Sequence, residues 1–336
     1  MKRVLFSETG EPASVLRCVE ADPPVLTKGC VQVRMLASPV NPSDLLFIRG
    51  KFGQDPALPQ SPGFEGVGVV ERAEAGLRGR LFSGKRVAVL NRGGGNWAEQ
   101  LVVPATQVIP LSRSLSVDQA ATFFVNPATA WVMTQEVLRV RAGEWLLQTA
   151  AASTLGRMII RLGKALGFRT LNIVRRREQV SELKALGADQ IIVCDPEIIE
   201  PEDLQHQVQS ATGDAAIRAA VDPVGGVLTA AVIRSLDRGG RLLVYGTLGN
   251  QPISISGRTL MTSDLSVEGF WLRNYMAQQG LLFKLKLVRK ITRLILDGTL
   301  QSSIADHYSL DQISEAVISA EQMPGKTILQ ISSEQK

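Results

Sequence analysis

From residue 145 the chain passes through a short apolar run (145–148), a loop of small residues, an amphipathic stretch (155–166) and a second β-branched run (170–174). Short apolar runs alternating with a helical period leave little choice of architecture. Parallel strands need a crossover between them, and a helix supplies it, so the pattern reads as a βαβ unit on a parallel sheet. The alternation continues, with helical patterns at 179–186 and 228–236 and strand-like runs at 191–193, 217–221 and 241–245. Gly187, Gly239 and Gly240 punctuate it, as expected of a residue that enters the left-handed region without a steric penalty. The pattern sets in near Ser116. Ahead of it, 31–37, 66–71 and 86–90 read as strands separated by the Pro- and Gly-rich stretches 56–63 and 93–95, so the first part is mainly β. After Gly298-Thr299, a turn, come a short helix over 310–319 and a strand over 327–331.

A chain of 336 residues exceeds what one hydrophobic core usually serves, so two domains are expected. No apolar run is long enough to span a bilayer, and no membrane partner is expected. The N-terminus passes from Met1-Lys2-Arg3 to Ser7, Glu8 and Gly10 without an apolar signal core, which reads as a cytoplasmic protein. Cys18, Cys30 and Cys194 are far apart and odd in number, against both a disulfide framework and a metal cluster. The net charge of +5 comes from scattered basic residues, apart from Arg175-Arg176-Arg177. With no aromatic interleaving and no recognition motif, a small polyanion suits this charge better than nucleic acid.

The run 145–148 leads into Thr149-Ala150-Ala151-Ala152-Ser153-Thr154-Leu155-Gly156, where a helix N-terminus would aim its free N–H groups at a pyrophosphate. Of the usual G-x-G-x-x-G fingerprint only Gly156 remains. The same spacing also suits a tight strand-to-helix turn that binds nothing. About 20 residues on, NAD enzymes set an acid against the ribose 2′-hydroxyl; here stands Arg175, followed by Arg176 and Arg177. Three cations at a helix start oppose its dipole and invite an anion such as the 2′-phosphate of NADPH. A solvated charge run is the alternative reading.

Four further segments carry a family likeness: Asn41-Pro42-Ser43-Asp44, the stretch from Leu58-Pro59 to Gly63-Phe64-Glu65-Gly66, Asn126-Pro127-Ala128-Thr129-Ala130, and Gly269-Phe270-Trp271-Leu272. In order and spacing the chain resembles the zinc-independent medium-chain dehydrogenase/reductases over nearly its whole length. The likeness is to mitochondrial-type trans-2-enoyl-CoA/ACP reductases, beside the quinone oxidoreductases. It implies an α/β fold, a Rossmann doubly wound parallel sheet plus a GroES-like β-barrel domain. The GroES-like part would span 1–120, completed by 295–336, with the Rossmann NADPH-binding domain over 121–294 and a homodimer formed through the sheet edge.

Carried over by position, the family's cofactor contacts fall on Asn126, on Ala152, Ser153, Thr154 and Leu155, and on Arg175, Arg176 and Arg177. They continue at Tyr245, Gly246, Thr247 and Leu248, at Phe270, Trp271, Leu272 and Arg273, and at Lys326. Asn126 would hold a ribose or carboxamide, backbone near Phe270 the nicotinamide edge, and Lys326 would lie near phosphate. Tyr245 and Phe270 equally suit ordinary core aromatics. Zinc-dependent relatives carry histidine between the residues matching Gly63 and Glu65, and a four-cysteine lobe; with Phe64 there and three scattered cysteines, no metal is expected. His206 and His307 are expected in surface helix or loop positions.

Without a Lewis acid, the simplest chemistry is hydride addition to an activated C=C or a quinone. In the enoyl reductases a tyrosine in the segment matching 50–53 assists; here Phe52 occupies that position and no catalytic residue is assigned. Lys51 and Asn41 are near enough in sequence to substitute as polar groups, although Lys51 equally suits the surface. The expected function is an NADPH-dependent reductase of an enoyl thioester, enone or quinone. The alternatives are a quinone or enone reductase with no fatty-acid role, and a catalytically reduced NADPH-binding sensor.

Overall fold

The computed structural model describes residues 1–213 and 215–333; position 214 and the last three residues of the expected C-terminal segment lie outside the described residues. The strands are β1 (Lys2–Leu5), β2 (Arg17–Glu20), β3 (Cys30–Pro39), β4 (Glu65–Ala73), β5 (Arg86–Leu90), β6 (Gln100–Pro104), β7 (Val108–Pro110) and β8 (Trp145–Gln148). They continue with β9 (Arg169–Val174), β10 (Gln190–Val193), β11 (Ile217–Asp222), β12 (Arg241–Val244), β13 (Ser266–Gly269), β14 (Ile304–Tyr308) and β15 (Lys326–Gln330). The helices are α1 (Pro12–Val15), α2 (Pro42–Ile48), α3 (Gly76–Phe82), α4 (Val117–Ala121), α5 (Val125–Trp131), α6 (Thr154–Leu166) and α7 (Gln179–Leu186). After them come α8 (Pro201–Thr212), α9 (Gly226–Arg234), α10 (Gly257–Thr262), α11 (Leu272–Ala277), α12 (Leu281–Leu296) and α13 (Ile313–Gln322).

The chain divides into two compact units, one of residues 1–125 with 301 onward and one of Asn126–Leu300. The divisions fall at 125/126 and 300/301, where the sequence suggested 120/121 and 294/295. Packing accounts for both shifts. Helix α4 lies on β3 and β4, and beyond it Val125 N bonds to Glu65 Oε2 at 2.7 Å, which keeps the chain with the first unit as far as Val125. At the other end Leu300 is fully buried, its N–H bonds to Leu294 O at 2.7 Å, and Arg161 Nε donates to Thr299 O at 2.9 Å.

The second unit holds a six-stranded sheet in the order β10-β9-β8-β11-β12-β13, parallel throughout. From β8 the chain adds strands in one direction to β10, then returns to β11 and proceeds the other way. The order therefore reverses between β8 and β11. Ligands of open parallel sheets bind beyond the carboxyl ends of the strands at such a point. Helix α6 buries Leu155, Met158, Ile159, Ile160 and Leu162 and ends at Gly167, whose φ of 82° only glycine enters freely.

In the first unit the sheet runs β14-β15-β3-β4-β5-β7, with β6 also on β3. Strand β3 is long enough to serve two partners along one edge: Cys30 to Arg34 pair with β6, and Ala37 to Pro39 with β15. The chain's C-terminal strand is thus built into the N-terminal β unit. Helix α2 starts with Pro42 in its first turn and a capping box in which Asn41 caps and Asp44 bonds back.

Candidate active site

The loop between β8 and α6 is set by side chains. Ser153 caps α6, its hydroxyl accepting from Gly156 N at 3.1 Å, which leaves the first-turn N–H groups pointing out of the helix end. Gly156 is required here, since a Cβ would lie 2.5 Å from Ala151 O. Ala150 stands in the left-handed region at φ 48°. Arg157, buried in the first turn, donates to Ala152 O at 2.8 Å and pairs with Glu182 of α7, so the loop is braced from behind.

Arg175, Arg176 and Arg177 follow the carboxyl end of β9 and are all exposed. Among the described residues none of the three makes an ion pair. Tyr245 to Leu248 follow β12, with Tyr245 N bonded to Asp222 O and Leu248 N to Pro223 O. Phe270 follows β13 through its N–H to Val244 O at 2.8 Å. Residues 152–155, 175–177, 245–248 and 270–273 therefore meet along one edge of the second unit's sheet. Tyr245 is half-buried, and its buried hydroxyl has no hydrogen-bond partner among the described residues; burial pushes its pKa upward, with Asp222 adding to the shift. Asn126, also in this unit, lies on α5 and is partly exposed.

These residues fit a phosphorylated dinucleotide. An open helix N-terminus at the switch point suits a pyrophosphate, and an exposed arginine at the end of the next strand suits a 2′-phosphate. When bound, the nicotinamide supplies the hydride.

Lys326 belongs to the first unit and is placed differently from a surface cation. It is 4% exposed, and its Nζ donates to Asn41 Oδ1. Asn41 Nδ2 donates in turn to Glu65 Oε1 at 3.4 Å, while Glu65 Oε2 accepts from Val125 N at 2.7 Å. Asp44 accepts from Asn41 N at 2.8 Å and Phe64 N at 3.0 Å. Burial pushes the Asp44 carboxyl up to about 7, and the backbone donors and Lys326 hold it back from rising further. Glu65 is raised by burial and Lys326 lowered by it, each opposed by the other's charge. Asn41 is consumed by this network and is not free to stand in for a catalytic hydroxyl. Lys51 is exposed.

Phe52 stacks on Phe64, with centroids 4.9 Å apart and planes 26° from parallel. Phe47 meets both edge-on at 6.4 and 5.1 Å. Phe64 thus extends an aromatic wall where zinc-dependent relatives hold a metal ligand. Among the described residues no group of three or more His, Cys, Asp or Glu is placed to hold a metal ion. His206 is exposed on α8, as expected of a surface helix. His307 lies in strand β14, not in a helix or loop, and its Nε2 is 3.0 Å from Asp118 Oδ1.

Residues 27–113 match the family model of the alcohol dehydrogenase GroES-like domain, and 154–285 that of the zinc-binding dehydrogenases. Over 321 residues the chain is 30% identical to human mitochondrial enoyl-acyl-carrier-protein reductase, covering 94% of this chain and 84% of that one. The chain belongs to the mitochondrial enoyl-acyl-carrier-protein reductase family of the medium-chain dehydrogenase/reductases. Solved structures show the same fold. A Bacillus thuringiensis protein assigned as an NADPH:quinone reductase superposes with a TM-score of 0.89 at 31% identity, covering 98% of each chain. The Etr1p/NADP/crotonyl-CoA complex, of a Candida tropicalis 2-enoyl thioester reductase, superposes with a TM-score of 0.82 at 25% identity, covering 98% of this chain and 99% of that one.

For a member of this reductase family, two features of the site were not singled out in the sequence. Asp222 was hidden at the end of a strand-like run, although an acid followed by Pro223-Val224-Gly225-Gly226 at the carboxyl end of a parallel strand marks a turn beside the ligand edge. The buried group of Asp44, Glu65 and Lys326 joins positions distant in sequence, and no local pattern links them.

Proposed function

We propose that this chain is an NADPH-dependent reductase that adds hydride to an activated C=C or a quinone. The observation that carries the proposal is Arg175 at the carboxyl end of β9, exposed with Arg176 and Arg177 beside the phosphate loop. An acid at this position would favour NADH by bonding the ribose 2′-hydroxyl and repelling a 2′-phosphate; arginine reverses both effects. The family relationship supports the reaction class, and the likeness to complexes holding NADP and crotonyl-CoA supports an enoyl thioester as one acceptor. The cofactor contacts are assigned to the four groups along the sheet edge and to Asn126 of the same unit.

The stacked pair Phe52 and Phe64 favours a second reading of the acceptor. A flat apolar wall without a hydroxyl suits a quinone or a reactive enone, which needs less help from a general acid than a thioester does. The deciding experiment follows NADPH oxidation with crotonyl-CoA, simple enones, and ortho- and para-quinones. Turnover of thioesters supports a fatty-acyl role, turnover of quinones alone the second reading, and silence with all of them, despite NADPH binding, a sensor.

A homodimer and a cytoplasmic location belong to the same proposal. Strand β13 pairs with β12 and ends the sheet, leaving an outer edge that a second copy could extend. Sedimentation of the purified protein tests the dimer. Among the described residues no helix is long and apolar enough to cross a membrane, and the mitochondrial names of relatives make fractionation the test of location.

A further inference from the structure

The phosphate loop lacks the first two glycines of the usual fingerprint, yet Ala150 adopts a left-handed φ of 48°, which a Cβ disfavours. A conformation of this kind persists only where its surroundings over-determine it. Thr149, immediately before it, is fully buried and donates its hydroxyl to Asp222 Oδ1. Asp222 stands at the carboxyl end of β11, the strand beside β8 where the sheet order reverses.

The two oxygens of Asp222 face different partners. Oδ2 accepts from Val224 N at 3.1 Å, Gly225 N at 2.9 Å and the Thr229 hydroxyl at 2.6 Å, anchoring the carboxylate to the turn that opens α9. Oδ1 reaches the loop through Thr149. The carboxylate is fully buried and, among the described residues, has no cation paired with it. Burying a charge is costly unless donors compensate it, and here neutral donors do so from both sides.

We propose that Asp222 is a positioning residue for the cofactor's pyrophosphate, acting through Thr149 to hold residues 149–154 in the shape that glycines give other dinucleotide loops. This rests on the reading of the loop as a dinucleotide site. Because the pyrophosphate is common to both cofactors, the device acts on NADPH and NADH alike, unlike the arginines.

The test titrates NADPH and NADH into wild type, Thr149→Val, Thr149→Ser and Thr212→Val, and records Tm for each. Thr149→Val keeps the shape and removes the hydroxyl; it should weaken both cofactors about tenfold, the scale of one hydrogen bond to a charged group, and leave their ratio unchanged. Thr149→Ser keeps the hydroxyl and should stay within about twofold of wild type. Thr212→Val removes a buried hydroxyl that bonds to Val208 O at the end of α8, outside this device, so it should lower Tm without changing either affinity. The inference fails if Thr149→Val binds both cofactors as wild type does, or if Thr212→Val weakens them equally. Thr149→Ala takes the place of the valine variant if that one does not fold. A wild type that binds NADH but not NADPH overturns the cofactor preference and leaves this test intact, whereas one that binds neither overturns both.

Discussion

The ring of Phe52 lies stacked on that of Phe64 at 4.9 Å, so the position where enoyl reductases carry a tyrosine forms part of an apolar wall. An offset stack of this kind contributes about 0.5–1.5 kcal/mol beyond burial, and it fixes the ring. Phe52→Tyr would add a single hydroxyl to a ring already in place. Turnover of enoyl thioesters should rise by about 10²-fold, the usual worth of a positioned acid, while NADPH affinity stays unchanged. Flat or reduced thioester turnover with NADPH binding intact would assign the pocket to a quinone or enone.

Asp44 makes the stability of the first unit depend on pH. Burial raises its carboxyl from the ordinary 3.8 to about 7, so the folded protein keeps a proton that the unfolded chain releases earlier. That contribution is complete below the unfolded value and is lost as pH rises through the folded one. Asp44→Asn cannot titrate, and whatever its constant offset it should gain on wild type between about pH 4 and 7, by at most about 1.4 kcal/mol per pH unit. Urea unfolding of both proteins across that range checks this; a difference independent of pH would contradict it.

Phe64 stands between Gly63 and Glu65 where zinc-dependent relatives carry a histidine, and its ring is engaged by Phe47 and Phe52. The purified protein should contain no stoichiometric zinc by elemental analysis and retain its reductase activity in chelator. Loss of activity in chelator, restored by zinc, would contradict this.

Five of the six parallel strands were legible because strands covered on both faces read as near-continuous apolar runs, as Trp145 to Leu147 does, whereas the half-exposed β13 was not read. Helix α12 was not read, although it is the longest of the described helices. Leu281, Leu282, Leu285 and Leu296 are exposed on it while Leu287, Ile291, Leu294 and Ile295 are buried, so leucines on both sides blur the apolar stripe. Strands β1 and β2 carry charges and pair mainly with each other, which leaves a weak alternation. In the site, Arg175 was legible from its distance after the loop. Lys326 was expected near phosphate, but its buried bond to Asn41 joins residues 285 apart, a pairing that only the register of β15 on β3 reveals.

The central claim is that the arginines after β9 select NADPH, and the most direct measurement is kcat/KM for NADPH against NADH in wild type and in Arg175→Ala/Arg177→Ala. Wild type should prefer NADPH, and the double variant should lose about 10- to 100-fold with NADPH, as expected for charge-assisted bonds worth about 1.5–3 kcal/mol, with little change for NADH. Equal use of the two cofactors by wild type, or equal losses with both in the variant, would contradict the account.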